Sequence, residues 1–455
     1  MPFLAKMAKE HRGEARITSR REYGEAVASG PEQHPGEPLL EAKANSGGQR
    51  AVDDGEHARC AAKEEARALY EELLGNLRST IDREGEAARS IAVVGVYWPS
   101  KRFTDDALRP SADPGGGSAS ITGVGDVRLL ADKLDRLGEL LGGIDPAILD
   151  RAKAALPDLE DRAKARTDFV EALQAMLPQP SDTEDDNSAR LFTPHEGDDI
   201  LNALSDPVEL ADDRVSGGGV TALLDEGRAM DADGSASSLA NFWNGAKGGA
   251  WRLLNYSTYY VMKERAGAIG AGLNKVLAGI RAGRPDLHIH LAGHSFGARV
   301  VTAAVAGGIP FRPQSLALLQ GAFSHNGFAA NIDGKAGFFR SVIVENRVLG
   351  PIIVTHTRND KAVGIAYAIA SRFSGDKRAA VGGPADKFGG IGRNGAMRMQ
   401  QEATASKLEQ GSFVYPPWTP TRITNLLADE FIADHGDVAG PEVANALFAA
   451  MRLPG

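Results

Sequence analysis

Gly293-His294-Ser295-Phe296-Gly297 is the segment with the strongest claim to chemistry. A serine with a glycine two residues away on either side suits a sharp strand-to-helix turn that holds a hydroxyl out as a nucleophile. In a chain with 53 glycines among 455 residues the bare pattern carries little. Its surroundings give it weight. The apolar run Leu-His-Ile-His-Leu-Ala-Gly (287–293) enters it, and the small-residue run Ala-Arg-Val-Val-Thr-Ala-Ala-Val-Ala-Gly-Gly (298–308) leaves it. That is the order strand, turn, helix. Both glycines are expected to keep Cβ atoms out of a crowded turn. The amide of Phe296, at the start of the helix, is the expected donor to an oxyanion.

A serine nucleophile needs a base and an acid that orients it. On a turn of this kind the expected chain order is serine, acid, histidine. Downstream of Ser295 the histidines are His325, His356 and His435. His356 sits inside a strand-like run, and His325 follows another; both precede the best acid. His435, in Ala-Asp-His-Gly-Asp (433–437), follows the last apolar run, Arg-Ile-Thr-Asn-Leu-Leu-Ala (422–428), and is the expected base, with His325 as the alternative. Asp360, just past Pro-Ile-Ile-Val-Thr-His-Thr (351–357), is the expected acid, with Asp333 as its rival. Asp434 and Asp437 read as turn formers.

These residues need a sheet to hold them. From about residue 250 the chain alternates helical and strand patterns: a long helix to Pro285, the strand before Ser295, a helix at 297–306, strands at 315–323 and 351–357, and a helix at 361–371. Such alternation predicts a mostly parallel sheet with helices on both faces. Ile91 to Trp98 (IAVVGVYW) is apolar enough to predict a strand buried on both faces. A helix is expected from about Ala61, with Leu69, Leu73 and Leu77 on one face. Residues 105–249 read as a helical insertion. Within it Val127, Leu130, Leu134, Leu137 and Leu141 form the stripe of an amphipathic helix docked on the main domain. The loop at 113–125, the acidic stretch Ser181 to Asp186 and glycines 216–219 read as connectors, and residues 1–64 as a disordered or divergent segment.

Composition narrows the classes. A net charge of −9 argues against a protein that lives on phosphate contacts to nucleic acid. One cysteine, Cys60, excludes an internal disulfide framework and a cysteine-based zinc site. His288 and His290 share a strand face without a third ligand, so no metal is expected. Gly390 to Gly395 matches G-x-G-x-x-G, but no strand precedes it, so no dinucleotide is expected and no cofactor is implied. The apolar-rich run Val300 to Phe311 is interrupted by Thr302, Gly307, Gly308 and Pro310, well short of the roughly 18–20 residues of a membrane span. With no secretory leader in the first residues, a cytoplasmic location is the expectation.

Taken together, residues 66–455 resemble the α/β-hydrolase superfamily, and most of all a bacterial branch with four shared motifs. Here they are Val94 to Lys101 (VGVYWPSK), the turn at 293–297, Thr355 to Gly364 (THTRNDKAVG) and His435 to Asp437 (HGD). The resemblance implies a hydrolase domain at 65–455 with a cap-like helical insertion. It also implies nucleophile Ser295, acid Asp360 and base His435, acting on a small-molecule carboxylic ester. His294 and Trp98 are candidates to line the substrate site. One motif departs from the pattern. Members carry an apolar strand ending in His-Gly ahead of the helix near Glu65, where this chain has AVDDGEHARCAAKEEARALY (51–70). That stretch would supply a second oxyanion amide, so Phe296 is the one donor expected. A ligand-binding protein impaired in catalysis is the alternative reading.

Overall fold

The computed structural model describes residues 54–85, 91–98, 123–178, 196–206, 209–210, 245–373, 380–419 and 422–452. Five strands make one all-parallel sheet: β2 (His290–His294), β3 (Ser315–Leu319), β4 (Ile352–His356), β6 (Ala403–Lys407) and β7 (Ile423–Leu427), in the spatial order β2-β3-β4-β7-β6. A separate two-residue pairing joins β1 (Glu209–Leu210) to β5 (Ala380–Val381). The helices are α1 (Asp54–Arg83), α2 (Gly123–Leu141), α3 (Pro146–Ala155), α4 (Ala163–Met176), α5 (Gly197–Ala203), α6 (Ala246–Gly283), α7 (Phe296–Ala306), α8 (Arg340–Val344), α9 (Lys361–Phe373), α10 (Ile391–Asn394) and α11 (Pro441–Met451).

The central strands are mostly apolar because both faces are covered. Leu316 and Leu318 of β3, Ile352 and Val354 of β4 and Ile423 of β7 pack with α6, α7 and α9. The alternate residues, Ala317, Leu319, Ile353 and Leu426, pack with Leu77 and Ile81 of α1 and Val443, Leu447 and Phe448 of α11. The two-residue alternation of a strand divides them between two cores. The helical stripe predicted in the insertion is also in place. Leu130, Leu134 and Leu137 are 0%, 0% and 1% exposed and share a core with Trp251 and Leu254 of α6. At about 1.5–3 kcal/mol for each buried leucine, this docks α2 firmly. Glu160 adds a polar stitch: its two carboxylate oxygens accept from the amides of Ala246 and Lys247, capping the 38-residue α6.

Two expectations are corrected, and one strand was missed. Ile91 to Trp98 is not a strand of the sheet: Val93 and Val94 are 47% and 64% exposed, while Ile91, Val96 and Trp98 rest on the cores. Strand propensity needs a partner ladder, and among the described residues the sheet stops at β2. Conversely, β6 escaped notice because its residues, Ala-Thr-Ala-Ser-Lys, are mostly exposed and held chiefly by the ladder to β7. Among the described residues the helix Asp54–Arg83 includes residues 54–64, read from the sequence as disordered or divergent; Ala, Glu, Lys and Arg there are good helix formers. Residues 1–53, Pro99 to Lys101, most of the 113–125 loop, 181–186 and 216–219 lie outside the described residues.

Candidate active site

β2 delivers the chain into Ser295, whose backbone lies at φ 57°, ψ −126°. A non-glycine residue there is strained and persists only where its neighbours hold it. They do so on three sides. The Ser295 amide donates to the carbonyl of Leu319 at 3.0 Å, and the Ser295 carbonyl accepts from Ala298 at 3.1 Å and Ala322 at 3.0 Å. The two glycines of the turn are not equivalent. A Cβ on Gly293 would lie 2.2 Å from the carbonyl oxygen of Gly297, whereas a Cβ on Gly297 would meet nothing within 4 Å. The expectation that both exclude Cβ atoms holds for the first alone.

Ser295, His435 and Asp360 come together across 140 and 75 residues of chain. The His435 Nε2 lies 2.8 Å from the Ser295 Oγ, and its Nδ1 lies 2.9 Å from the Asp360 Oδ2. A carboxylate only accepts, so Nδ1 carries the proton and Nε2 is left to accept from the serine hydroxyl. Asp360 is fully buried and immediately precedes α9, where its Oδ1 accepts from the amide of Val363 at 3.0 Å. One oxygen caps the helix and the other holds the imidazole.

The remaining candidates separate cleanly. Phe296 opens α7, the position whose amide has no acceptor within the helix, and its ring is buried against Tyr259 at 5.2 Å and Trp98 at 6.4 Å. Trp98 is half-buried and stands edge-on to that ring. His294 points its Nε2 at the backbone carbonyl of His435, 2.7 Å away, a contact with the loop that carries that histidine. His325 is buried elsewhere, its Nδ1 accepting from Asn394 at 3.0 Å. His356 ends β4, where its carbonyl accepts from Ala428. Asp333 is paired with Lys387 on the surface. Asp434 accepts from the amides of Gly436 and Asp437, and Asp437 from that of Ala433, as turn formers do.

Reading the sequence missed the residues that tie acid loop to base loop. Asp429 accepts from the Thr357 hydroxyl and from the Arg358 amide and guanidinium, and Asn359 donates to the carbonyls of Asp429 and Ile432. The polar density of Thr-Arg-Asn beside Asp360 was the available signal. The glycine-rich 390–395 turn also has a task. Gly392 donates to Gly321 and accepts from Thr357, wedging between the ends of β3 and β4, and a Cβ on it would come 2.8 Å from Asp360 Oδ2. Among the described residues no group of three or more His, Cys, Asp or Glu could hold a metal ion, and no helix is long and apolar enough to cross a membrane.

Desolvated imidazoles make acid the weak side of this fold. Burial pushes His294 and His325 down to about 4, and lowers His356 from its ordinary value of 6.5. Above pH 6.5 these groups are neutral in folded and unfolded chains alike, and their contribution is fully present. As pH falls from 6.5 toward 4 the unfolded chain takes up protons that folded His294 and His325 refuse. Stability then falls by up to about 1.4 kcal/mol per pH unit for each group. The urea midpoint is therefore expected to be lower at pH 5 than at pH 7.5; equal midpoints would contradict this assignment.

No family model matches the chain, and neither a curated protein nor a solved structure does.

Proposed function

We propose that the chain is a serine hydrolase of the α/β-hydrolase type, cleaving carboxylic esters through an acyl-enzyme on Ser295. The observation that carries this reading is the continuous relay from the Ser295 hydroxyl through His435 to the buried Asp360, at 2.8 and 2.9 Å. The parallel sheet and the strained turn after β2 support it. In the first half-reaction the Oγ attacks the ester carbonyl while His435 Nε2 takes its proton. The tetrahedral oxyanion accepts from the Phe296 amide, and the imidazolium, steadied by Asp360, returns the proton to the departing alkoxide. Water, deprotonated by the same Nε2, then attacks the acyl-serine; collapse releases the acid and restores the hydroxyl. Helices α2 to α5, docked on α6, form the cap-like lobe. No cofactor enters these steps.

A second reading, a ligand-binding relative with impaired turnover, draws on one observation: Ile91 to Trp98 stays outside the sheet and β2 is an edge among the described residues. A fluorophosphonate probe and p-nitrophenyl esters of graded chain length decide between the two. The hydrolase reading expects labelling and turnover in the wild type. It expects neither in Ser295→Ala, a loss on the order of 10⁶-fold in kcat. An unlabelled wild type without esterase activity supports the second reading instead.

A further inference from the structure

The residue just before the nucleophile makes a contact that the relay itself does not require. His294 ends β2, and its ring lies 5.0 Å, centroid to centroid, from that of His435, tilted by 42°. Its Nε2 meets the backbone carbonyl of His435 at 2.7 Å. A carbonyl only accepts, so the His294 Nε2 carries a proton and donates it, which makes Nδ1 the bare nitrogen of the neutral ring.

The loop that carries His435 runs between β7 and α11. Its internal hydrogen bonds, from Gly436 and Asp437 to Asp434 and from Ala433 to Asp437, set its shape. Side chains from outside the loop set its place over the sheet. Asn359, in the acid loop, grips its start through the carbonyls of Asp429 and Ile432. His294, in the nucleophile's own strand, grips the base itself, one bond from the Cα whose side chain must bridge Ser295 and Asp360.

Resting on the hydrolase reading above, we propose that His294 is a positioning residue: by donating to the His435 carbonyl it locks the backbone of the base to that of the nucleophile. Desolvation keeps the imidazole neutral to about pH 4, and the carbonyl acceptor fixes its proton on Nε2. The contact links adjacent backbones rather than reacting atoms, so it acts on the distance and angle of the Ser295–His435 hydrogen bond. A displacement of about 1 Å in such a pair is enough to cost on the order of 10²-fold in rate.

Three substitutions test it. A glutamine places its amide nitrogen near the position of Nε2 and keeps the donor. Phenylalanine keeps the ring's bulk without a donor, and asparagine is polar but too short to reach. His294→Phe and His294→Asn are expected to lower kcat by about 10- to 100-fold at unchanged KM, while His294→Gln stays close to the wild type. Should the phenylalanine variant not fold, the asparagine and glutamine pair carries the comparison. The clamp is overturned if Gln falls as far as Phe and Asn, if the donor-less variants keep their kcat, or if KM alone rises, as it would for a pocket-lining residue.

A second readout stands apart from activity. The imidazole Nδ1 proton of His435, bound to Asp360, gives a low-field proton resonance, identified by its loss in Asp360→Asn. It should be sharp in the wild type and in His294→Gln, and broadened or absent in His294→Asn. If the wild type neither hydrolyses esters nor takes the fluorophosphonate, the hydrolase reading fails. The resonance then decides the clamp alone: persistence in His294→Asn refutes it, and selective loss upholds it.

Discussion

Asp360→Asn should leave a folded protein whose ester turnover is down by about 10⁴-fold, the scale seen when the acid of such a relay becomes an amide. The fold survives because the amide oxygen can still accept from Val363 and cap α9. That choice leaves the amide NH₂ facing the His435 Nδ1, where Oδ2 now lies at 2.9 Å. An NH₂ donates, so Nδ1 must accept and the ring proton moves to Nε2. The nitrogen 2.8 Å from the Ser295 Oγ is then occupied and cannot take the hydroxyl proton. Steady-state kinetics at pH 7.5, with a thermal melt to check the fold, give the answer. Turnover within tenfold of the wild type would remove Asp360 from the role of orienting acid.

Gly293→Ala should be the most damaging single-methyl change in the turn, and Gly297→Ala nearly harmless. At position 293 the new Cβ would sit 2.2 Å from the Gly297 carbonyl oxygen, 2.4 Å from its carbon and 2.6 Å from the Ala298 nitrogen. All three are backbone atoms in the first turn of α7, so no side chain can swing aside. The helix must back away from β2, which breaks the Ser295–Leu319 and Ser295–Ala322 contacts that hold the strained serine. Overpacking at the top of the usual range, about 3 kcal/mol, and loss of fluorophosphonate labelling are expected. Gly297, with nothing near its Cβ and no left-handed φ, should accept alanine with an unchanged or higher melting temperature, since alanine is the better helix former. A Gly293→Ala protein as stable and reactive as the wild type, or a Gly297→Ala protein that fails to fold, would refute this account of the turn.

The strands that carry the relay were legible in the sequence because burial on both faces leaves only apolar residues to choose from. Leu316 to Leu319 and Ile352 to Val354 could be little else. The convergence of Ser295, Asp360 and His435 was legible because each follows the end of a parallel strand, β2, β4 and β7. What escaped notice has a common cause: it depends on partners rather than on composition. β6 buries almost nothing and exists through its ladder to β7, whereas Ile91 to Trp98 has the right residues and no ladder. Asn359, Asp429 and His294 act through backbone carbonyls and loop amides of distant segments, which no local spacing encodes. The unequal standing of Gly293 and Gly297 likewise appears only once the helix is placed over the strand.

The strand order also says when the site comes into being as the chain folds. β2, β3 and β4 are neighbours in both sequence and space, and a parallel ladder of this kind can grow as those segments become available. β6 cannot join them, because its one ladder in this sheet is to β7, the last strand made. Only when β7 slides in beside β4 does the sheet gain both of its final members, and the same step brings the His435 loop over Ser295. Sheet completion and relay assembly are thus a single late, long-range event, of the kind that slows folding through loop closure. A nascent or half-refolded chain holds Ser295 without His435 beside it until β7 has docked.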